Sequence, residues 1–454
     1  MLKRMSLSIS RVLHAGYIFE SQGAKILFDP IFENPFSVNC YAFPQVEFRE
    51  ELIKELRPDA IFISHYHDDH CSMQSLNLLD RRIPIYLYCL HEALFVMLRN
   101  LGFLNVYSLQ INQEIKIGSL NVIIKKALDA DVDSIFHIAA EDLNILHVVD
   151  SWIDFDTLEQ LAQVQKWDMI LWPFQTMREI EVLSPIRSGP AVTSLPPEWL
   201  EQLKILRPRY IVPSSCQFIH EEWSWYRLFY FPISYEQFQK EIEQILPETQ
   251  VVRLNPSTSV LLTSQSLDAR EPLKWVVPVG EQNVDYTYDQ SQQVPSTNEV
   301  ARHFSALTQQ QTEFVLEYCR HGLIKKYLSL VESNETYFLK ARLWKLSVVD
   351  HLGLVTDFYY EIHSQKMHLV MGDHSVKGLG WVTEIPLFKL YQALTAGESL
   401  SSLYIRINNQ IFDDEIEDEI KEADFLADPL LRCLFTEAFG SYQLAQLKRL
   451  GIAF

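Results

Sequence analysis

The densest chemistry in the chain lies in six consecutive residues, His65-Tyr66-His67-Asp68-Asp69-His70. They follow the apolar run Ala60-Ile61-Phe62-Ile63 and Ser64, so a buried strand would end where the polar residues begin. A loop leaving a strand end can project several side chains into one pocket. At this spacing His65 and His67 reach one ion, while Asp69 and His70 reach a second close by. Imidazole and carboxylate together suit zinc, iron or manganese, and no thiolate is required. The plainer reading is a polar loop without metal. Cysteine adds nothing to the site: Cys40, Cys71, Cys89, Cys216, Cys319 and Cys433 contain no CxxC pair. That argues against a disulfide framework and against an all-cysteine zinc site.

The surrounding elements must hold such a loop in place. Residues 8–20 and 24–29 read as two strands joined by a turn at Ser21-Gln22-Gly23. Residues 46–56 have helical spacing and end before Pro58, and residues 60–63 suit a strand buried on both faces. Helices are expected at 72–79 and 91–101, and strands at 83–88, 120–125, 134–139 and 144–149. Strands alternating with helices indicate a layered α/β or αββα architecture. The polar stretch 281–298 is poor in residues to bury, and Ser296-x-x-Glu299 then has capping-box spacing. Beyond it, residues 358–363 and 366–372 read as a hairpin.

The HxHxDH loop after a strand resembles the metallo-β-lactamase superfamily. Leu13-His14-Ala15-Gly16-Tyr17 and Leu27-Phe28-Asp29-Pro30 are similar to that family's opening strands. Asn144-Ile145-Leu146-His147-Val148-Val149-Asp150 resembles its later strand, which ends in a metal-bridging aspartate. The resemblance implies an αββα sandwich with Asp150 as the bridging ligand. The family usually supplies a further His between these motifs, but here the matching stretch offers the carboxylates Asp129, Asp131 and Asp133. Asp131 is the expected ligand, with an acidic turn as the reading of the other two; His137 lies too far into the next strand. The family's final His is also absent, replaced by Val212-Pro213-Ser214-Ser215-Cys216-Gln217 with His220 slightly downstream. Either His220 folds back to the metal, or that position falls to water, substrate or a weaker ligand.

Much of the chain is also similar to the metallo-β-lactamase-like part of CMP-sialic acid hydroxylases. Leu27–Pro30, Ile63–His70, Val132–Ser134, Val148–Asp150, Leu206–Pro213, Leu403–Ile405 and Ala427–Pro429 fall in corresponding order. Those hydroxylases carry a Rieske module, which needs CxH and CxxH. Cys89-Leu90-His91 is a lone CxH and reads as accidental, so electrons would come from an external donor. In its site the chain resembles di-iron β-hydroxylases of this fold, which place a carboxylate where a His is usual.

A carboxylate in place of a His hardens the site and shifts preference from zinc toward iron or manganese. The expected function is therefore a non-haem di-iron oxygenase acting on a small-molecule or carrier-bound metabolite. His65, His67 and Asp131 would hold one ion, Asp69 and His70 the other, with Asp150 between them. The alternative is a dinuclear hydrolase of a phosphodiester, ester or amide, in which Asp69 orients the attacking hydroxide or takes its proton. A third class is a binding protein that kept the fold and lost activity. Tyr66, Trp152, Trp172 and the stretch Trp223-Ser224-Trp225-Tyr226 can wall a substrate pocket or shield an oxidant, or belong to the core. Arg178 and Arg187 can bind an anionic substrate, or lie at the surface. His351, His363, His368 and His374 share no ligand spacing.

Length and composition bound the rest. With 454 residues, 48% hydrophobic and 22% charged, the chain reads as a soluble protein of two domains. The expected division is a catalytic domain at 1–268, a linker at 269–298 and a smaller α+β domain at 299–454. The last has a faint resemblance to sterol-carrier-like domains and is expected to cover the pocket or mediate a homodimer. A net charge of −20 disfavours nucleic acid and anionic membranes as partners, and the acidic run 413–418 reads as a solvated surface. No stretch approaches the ~18 apolar residues of a membrane span. The opening residues read as a first strand and not a signal peptide, which makes a cytoplasmic location the expectation.

Overall fold

The computed structural model describes residues 6–176, 178, 181–185, 188–330, 341–363, 365–370, 379–407, 428–435 and 439–452. Arg187, His374 and the acidic run 413–418 lie outside the described residues.

Two sheets face one another. The first has eight strands in the order Leu267–Arg270, Ser259–Thr263, Ser6–Arg11, Tyr17–Ser21, Ala24–Phe28, Ala60–Ile63, Ile85–Leu87, Val106–Ser108. The second has seven: Gln250–Val251, Tyr210–Pro213, Met169–Trp172, Leu143–His147, Ser134–Ala140, Leu120–Lys126, Glu114–Ile117. Each sheet is antiparallel in one part and parallel in the other, switching at Ala24–Phe28 and at Leu143–His147 respectively. Parallel neighbours need crossovers. Helices such as Glu92–Asn100, Phe155–Leu161 and Pro197–Leu206 lie between those strands in the chain.

Strand alternation explains the layers. Ile9, Phe19, Phe28 and Phe62 of the first sheet pack with Val122, Phe136, Ile145 and Leu171 of the second in one buried cluster. The opposite faces, including Leu27, Ile61, Ile63, Leu146 and Ile170, join another cluster with helix residues Leu94, Leu98, Leu161 and Trp199. Side chains on successive strand positions point to opposite faces, so one set fills the space between sheets and the other seats the helices. This is the expected αββα sandwich.

Two elements differ from expectation. Residues 8–20 are not one strand: Ser6–Arg11 and Tyr17–Ser21 form a hairpin, with Arg11 opposite Tyr17. Residues 46–56 split into the strand Val46–Phe48, paired with Val276–Pro278, and the short helix Glu50–Ile53. A three-residue apolar–polar–apolar pattern fits either state, and pairing decided it.

Farther along, Lys366–Leu369, Val355–His363, Arg342–Val349, Leu379–Pro386 and Arg406–Ile407 form a five-stranded sheet containing the expected hairpin. Ser296 and Glu299 make the reciprocal capping box. The helix Ser441–Arg449 returns to the sandwich. Gln446 accepts from the Met73 amide at 2.7 Å and donates to Ser72 Oγ at 3.0 Å, while Gln443 donates to the Tyr66 carbonyl at 2.8 Å. Among the described residues, no helix is long and apolar enough to cross a membrane.

Candidate metal centre

Every residue of the centre lies just beyond a strand end on one edge of the sandwich. His14 follows Ser6–Arg11, Asp29 follows Ala24–Phe28, His65 to His70 follow Ala60–Ile63, and Asp150 follows Leu143–His147. Asp133 immediately precedes the antiparallel strand Ser134–Ala140 and so reaches the same edge. Ligand sites in open α/β sheets commonly lie off the carboxyl ends of strands, where loops diverge.

Two groups of residues able to offer ligand atoms gather there. His65, His67 and Asp133 make one; His14, Asp69, His70 and Asp150 make the other, all atoms of each group within 4.8 Å of one another. In the first, His65 Nε2 faces His67 Nδ1 at 3.0 Å and Asp133 Oδ1 at 3.7 Å. In the second, His70 Nε2 lies 3.0 Å from Asp150 Oδ2, 3.0 Å from His14 Nε2 and 3.7 Å from Asp69 Oδ2.

Buried partners set the imidazole tautomers. The Asp29 carboxylate, fully buried, accepts Nδ1–H of His70 at 2.9 Å, the Ser64 hydroxyl at 2.7 Å and the Ser64 amide at 2.8 Å. Because Ser64 Oγ donates to Asp29, it accepts from His65 Nδ1 at 3.0 Å. One carboxylate thus holds protons on the outer nitrogens of His65 and His70 and turns both Nε2 lone pairs inward. That is the carboxylate–histidine support expected behind metal ligands. His14 differs. Its Nδ1 accepts the Cys216 amide at 3.0 Å, so a neutral ring carries its proton on Nε2, 3.2 Å from Asp69 Oδ2. His14 is thereby a donor toward the acidic side of the centre.

Electrostatics match this packing. Burial beside His70 pushes His65 down to about 4, keeping the ring neutral. Burial and the Asp150 charge push Asp133 up to about 6. Burial works against charge on His70, yet the Asp150 and Asp69 carboxylates hold its proton affinity well above the usual imidazole range. Asp150 Oδ1 is buried without a hydrogen-bond partner. Acceptor atoms converging with so few donors are costly unless a cation sits among them. The residues fit a pair of metal ions, with imidazole and carboxylate as the donor set.

The backbone is also forced locally. His14, Asp29, Val149 and Cys216 have φ of 51°, 37°, 66° and 59°. Non-glycine residues in the left-handed region cluster where surrounding structure over-determines them. Here Arg11, fully buried, contributes: its guanidinium donates to the carbonyls of His14 at 2.6 Å, Pro213 at 3.1 Å and Ser214. It ties the His14 turn to the loop that presents Cys216.

The structure brings His65, His67, Asp69, His70 and Asp150 together and relocates other expected residues. Asp131 and Asp129 are exposed and join neither ligand group; the Asp133 amide bonds the Asp129 carbonyl at 2.8 Å. Asp133, not Asp131, is the carboxylate beside His65 and His67. His220 joins neither ligand group; its Nδ1 donates to the Asn39 carbonyl at 3.1 Å. Trp172 and Trp225 are buried in the core, the first edge-on to Trp199, the second bonded to the Val182 carbonyl at 2.9 Å. Trp152 does reach the centre's flank, beside Asp133 and Asp150 in a shallow recess. Tyr66 packs behind the loop against Phe439 and His91. Arg178 donates to the Gly189 carbonyl at 2.9 Å and does not line the cavity at the centre. Sequence reasoning assigns no site role to His14 or Asp29; their positions just beyond strand ends are the available signal.

Residues 8–215 match the model of the beta-lactamase superfamily domain. A metal-dependent hydrolase of Pyrobaculum islandicum is 25% identical over 204 residues, covering 44% of this chain and 80% of that protein. Among solved structures, a metallo hydrolase from Ignicoccus hospitalis is 17% identical with a TM-score of 0.40, covering 57% of this chain and 98% of the other. CmlA, a diiron β-hydroxylase from Streptomyces venezuelae, is 15% identical with a TM-score of 0.38, covering 58% and 55%.

Proposed function

We propose that this metallo-β-lactamase-fold chain is a dinuclear iron oxygenase acting on a small-molecule or carrier-bound metabolite. The carrying observation is the set His65, His67 and Asp133: two imidazoles and one carboxylate in place of a third histidine. Two-histidine-one-carboxylate sets with open positions characterise non-haem ferrous oxygenases. When bound, a ferrous pair would supply the chemistry that converts R–H and O2 into R–OH and water, using two electrons and two protons from an external donor.

The chain's own residues then have separable roles. His65, His67 and Asp133 would hold one ion and Asp69, His70 and Asp150 the other, with Asp150 the proposed bridge. Asp29 fixes His70 directly and His65 through Ser64. His14 directs its Nε2–H at Asp69 and Asp150 and keeps both carboxylates ionised. The cavity at the centre, about 410 Å³, suits a small substrate or the reacting end of a larger one.

The name of the Pyrobaculum islandicum relative favours a second reading, a metal-dependent hydrolase. There the same ions would polarise the scissile group and Asp69 would take the proton of the attacking water. The test compares both loadings of one preparation. Reduced iron-loaded protein consuming about one O2 per chain, with the zinc-loaded form inert toward bis-(p-nitrophenyl) phosphate, supports the oxygenase. Diester hydrolysis by the zinc form, with no O2 uptake by the iron form, replaces it with the hydrolase.

A further inference from the structure

The cavity beside the metal centre has a second wall that the ligands do not explain. His220, 3% exposed, lines it together with Tyr230, Ser399 and Ser401. Its Nδ1–H is committed to the Asn39 carbonyl at 3.1 Å, so Nε2 carries the lone pair. That Nε2 is buried and has no hydrogen-bond partner. An unpaired buried acceptor costs about 1–3 kcal/mol, so retention at a cavity wall suggests a partner that arrives with a ligand.

The wall formed by residues 399–401 is tied to His220 through a shared partner, Asn39. Asn39, whose carbonyl orients His220, uses its side-chain amide to hold the Ser401 carbonyl and the Tyr404 hydroxyl, each at 3.0 Å. Tyr404 in turn donates to Glu221 at 2.6 Å. One residue thus positions both the His220 ring and the 399–401 turn. The hydroxyls of Ser399 and Ser401 lie 2.9 Å apart on that turn.

Charge narrows what fits. Among the described residues lining this cavity there is no Lys or Arg, whereas Asp68, Asp69, Asp133 and Asp150 all line it. Two divalent ions would roughly offset those carboxylates and leave no surplus positive charge to hold a remote anionic group.

We infer that the space between His220 and the Ser399–Ser401 turn is the substrate subsite, taking an uncharged or cationic molecule whose O–H or N–H donates to His220 Nε2. This rests on the reading of the centre as a metal site, and it makes His220 a specificity residue and not a ligand. Burial pushes His220 down to about 3, so the ring stays an acceptor throughout the working range of pH.

The test uses the full chain loaded with diamagnetic zinc and labelled with 15N-histidine. Its Nε2 resonances are followed while amino alcohols and amines are titrated against carboxylates and phosphates of matched size. The resonance lost in H220F is that of His220. The expected result is that amino alcohols shift this resonance and bind at least fivefold more weakly to H220F. H220Q, which keeps an acceptor, restores binding, and both variants retain the metal content of the parent. Ser399→Ala, on the opposite wall, weakens the same ligands without touching the ring. A resonance that responds to no member of the panel, or to the anions instead, overturns the inference. So does loss of a metal ion in H220F, which would make His220 a ligand. Parent protein that takes up no metal overturns this inference and the proposed centre together.

Discussion

Asp29 is the residue on which the centre's geometry converges. It offers two oxygens to three donors, the Ser64 amide, the Ser64 hydroxyl and His70 Nδ1. Asn would keep the shape but present one acceptor oxygen and an N–H₂ that opposes a donor. D29N should therefore weaken metal affinity by roughly 10- to 100-fold, the usual effect of removing a supporting partner behind a ligand. Competition with a chromophoric chelator measures it, and unchanged affinity would mean that His65 and His70 are oriented by something else. A second residue tests burial away from the ligands. His147 is fully buried, donates Nε2–H to the Ala15 carbonyl at 3.0 Å and is pushed by burial down to about 4. Its unfolded value is the ordinary 6.5, so between pH 6.5 and about 4 the unfolded chain binds a proton that the folded chain refuses. Stability must then fall on acidification through that window, by roughly 3 kcal/mol from this one group, and level off below it. Urea midpoints across pH should fall less steeply in H147Q than in the parent.

At the scale of elements, the centre depends on how strands end. Gly16 closes the turn that carries His14. A Cβ at this position would lie 2.8 Å from the Asp29 carbonyl oxygen and 2.9 Å from that of Leu13, both backbone atoms. G16A should cost about 1–3 kcal/mol, as overpacking does, and should also move His14 and Asp29. The readout is a lower denaturant midpoint accompanied by weaker metal binding; a stability loss with intact metal binding would separate the turn from the centre. This turn also shows what the sequence concealed. Val12 and Leu13 continue the apolar character of the preceding strand, so residues 8–20 read as one element and His14 as mid-strand. The loop at 65–70 was legible because an apolar run stops abruptly at a cluster of ligand types. Asp150 was legible only through the resemblance of residues 144–150 to the family's later strand. Asp129, Asp131 and Asp133 alternate, and which one faces inward depends on where the strand Ser134–Ala140 begins, a register that composition does not encode. Trp172 and Trp225 misled because large aromatic rings near a site satisfy core and pocket equally well until packing is known.

On the scale of the whole molecule, the chain's last described helix supports the loop that its first hundred residues build. Gln446, 1% exposed, pairs with the Met73 amide and Ser72 Oγ just beyond His70, and Gln443 holds the Tyr66 carbonyl. Q446A would strand the Met73 amide, while Ser72 keeps Glu33 and the Ser75 amide, and should destabilise the chain by about 1–3 kcal/mol. Hydrogen exchange should show faster opening of 66–76 together with 441–449; faster exchange in only one of them would mean that they open independently. The centre itself decides the account. Protein purified from iron-supplemented cells, or loaded with ferrous ion under anaerobic conditions, should contain about two irons per chain. Its Mössbauer spectrum should be that of a coupled pair. Two zincs per chain with iron refused under those conditions would contradict the iron assignment and return the molecule to hydrolysis.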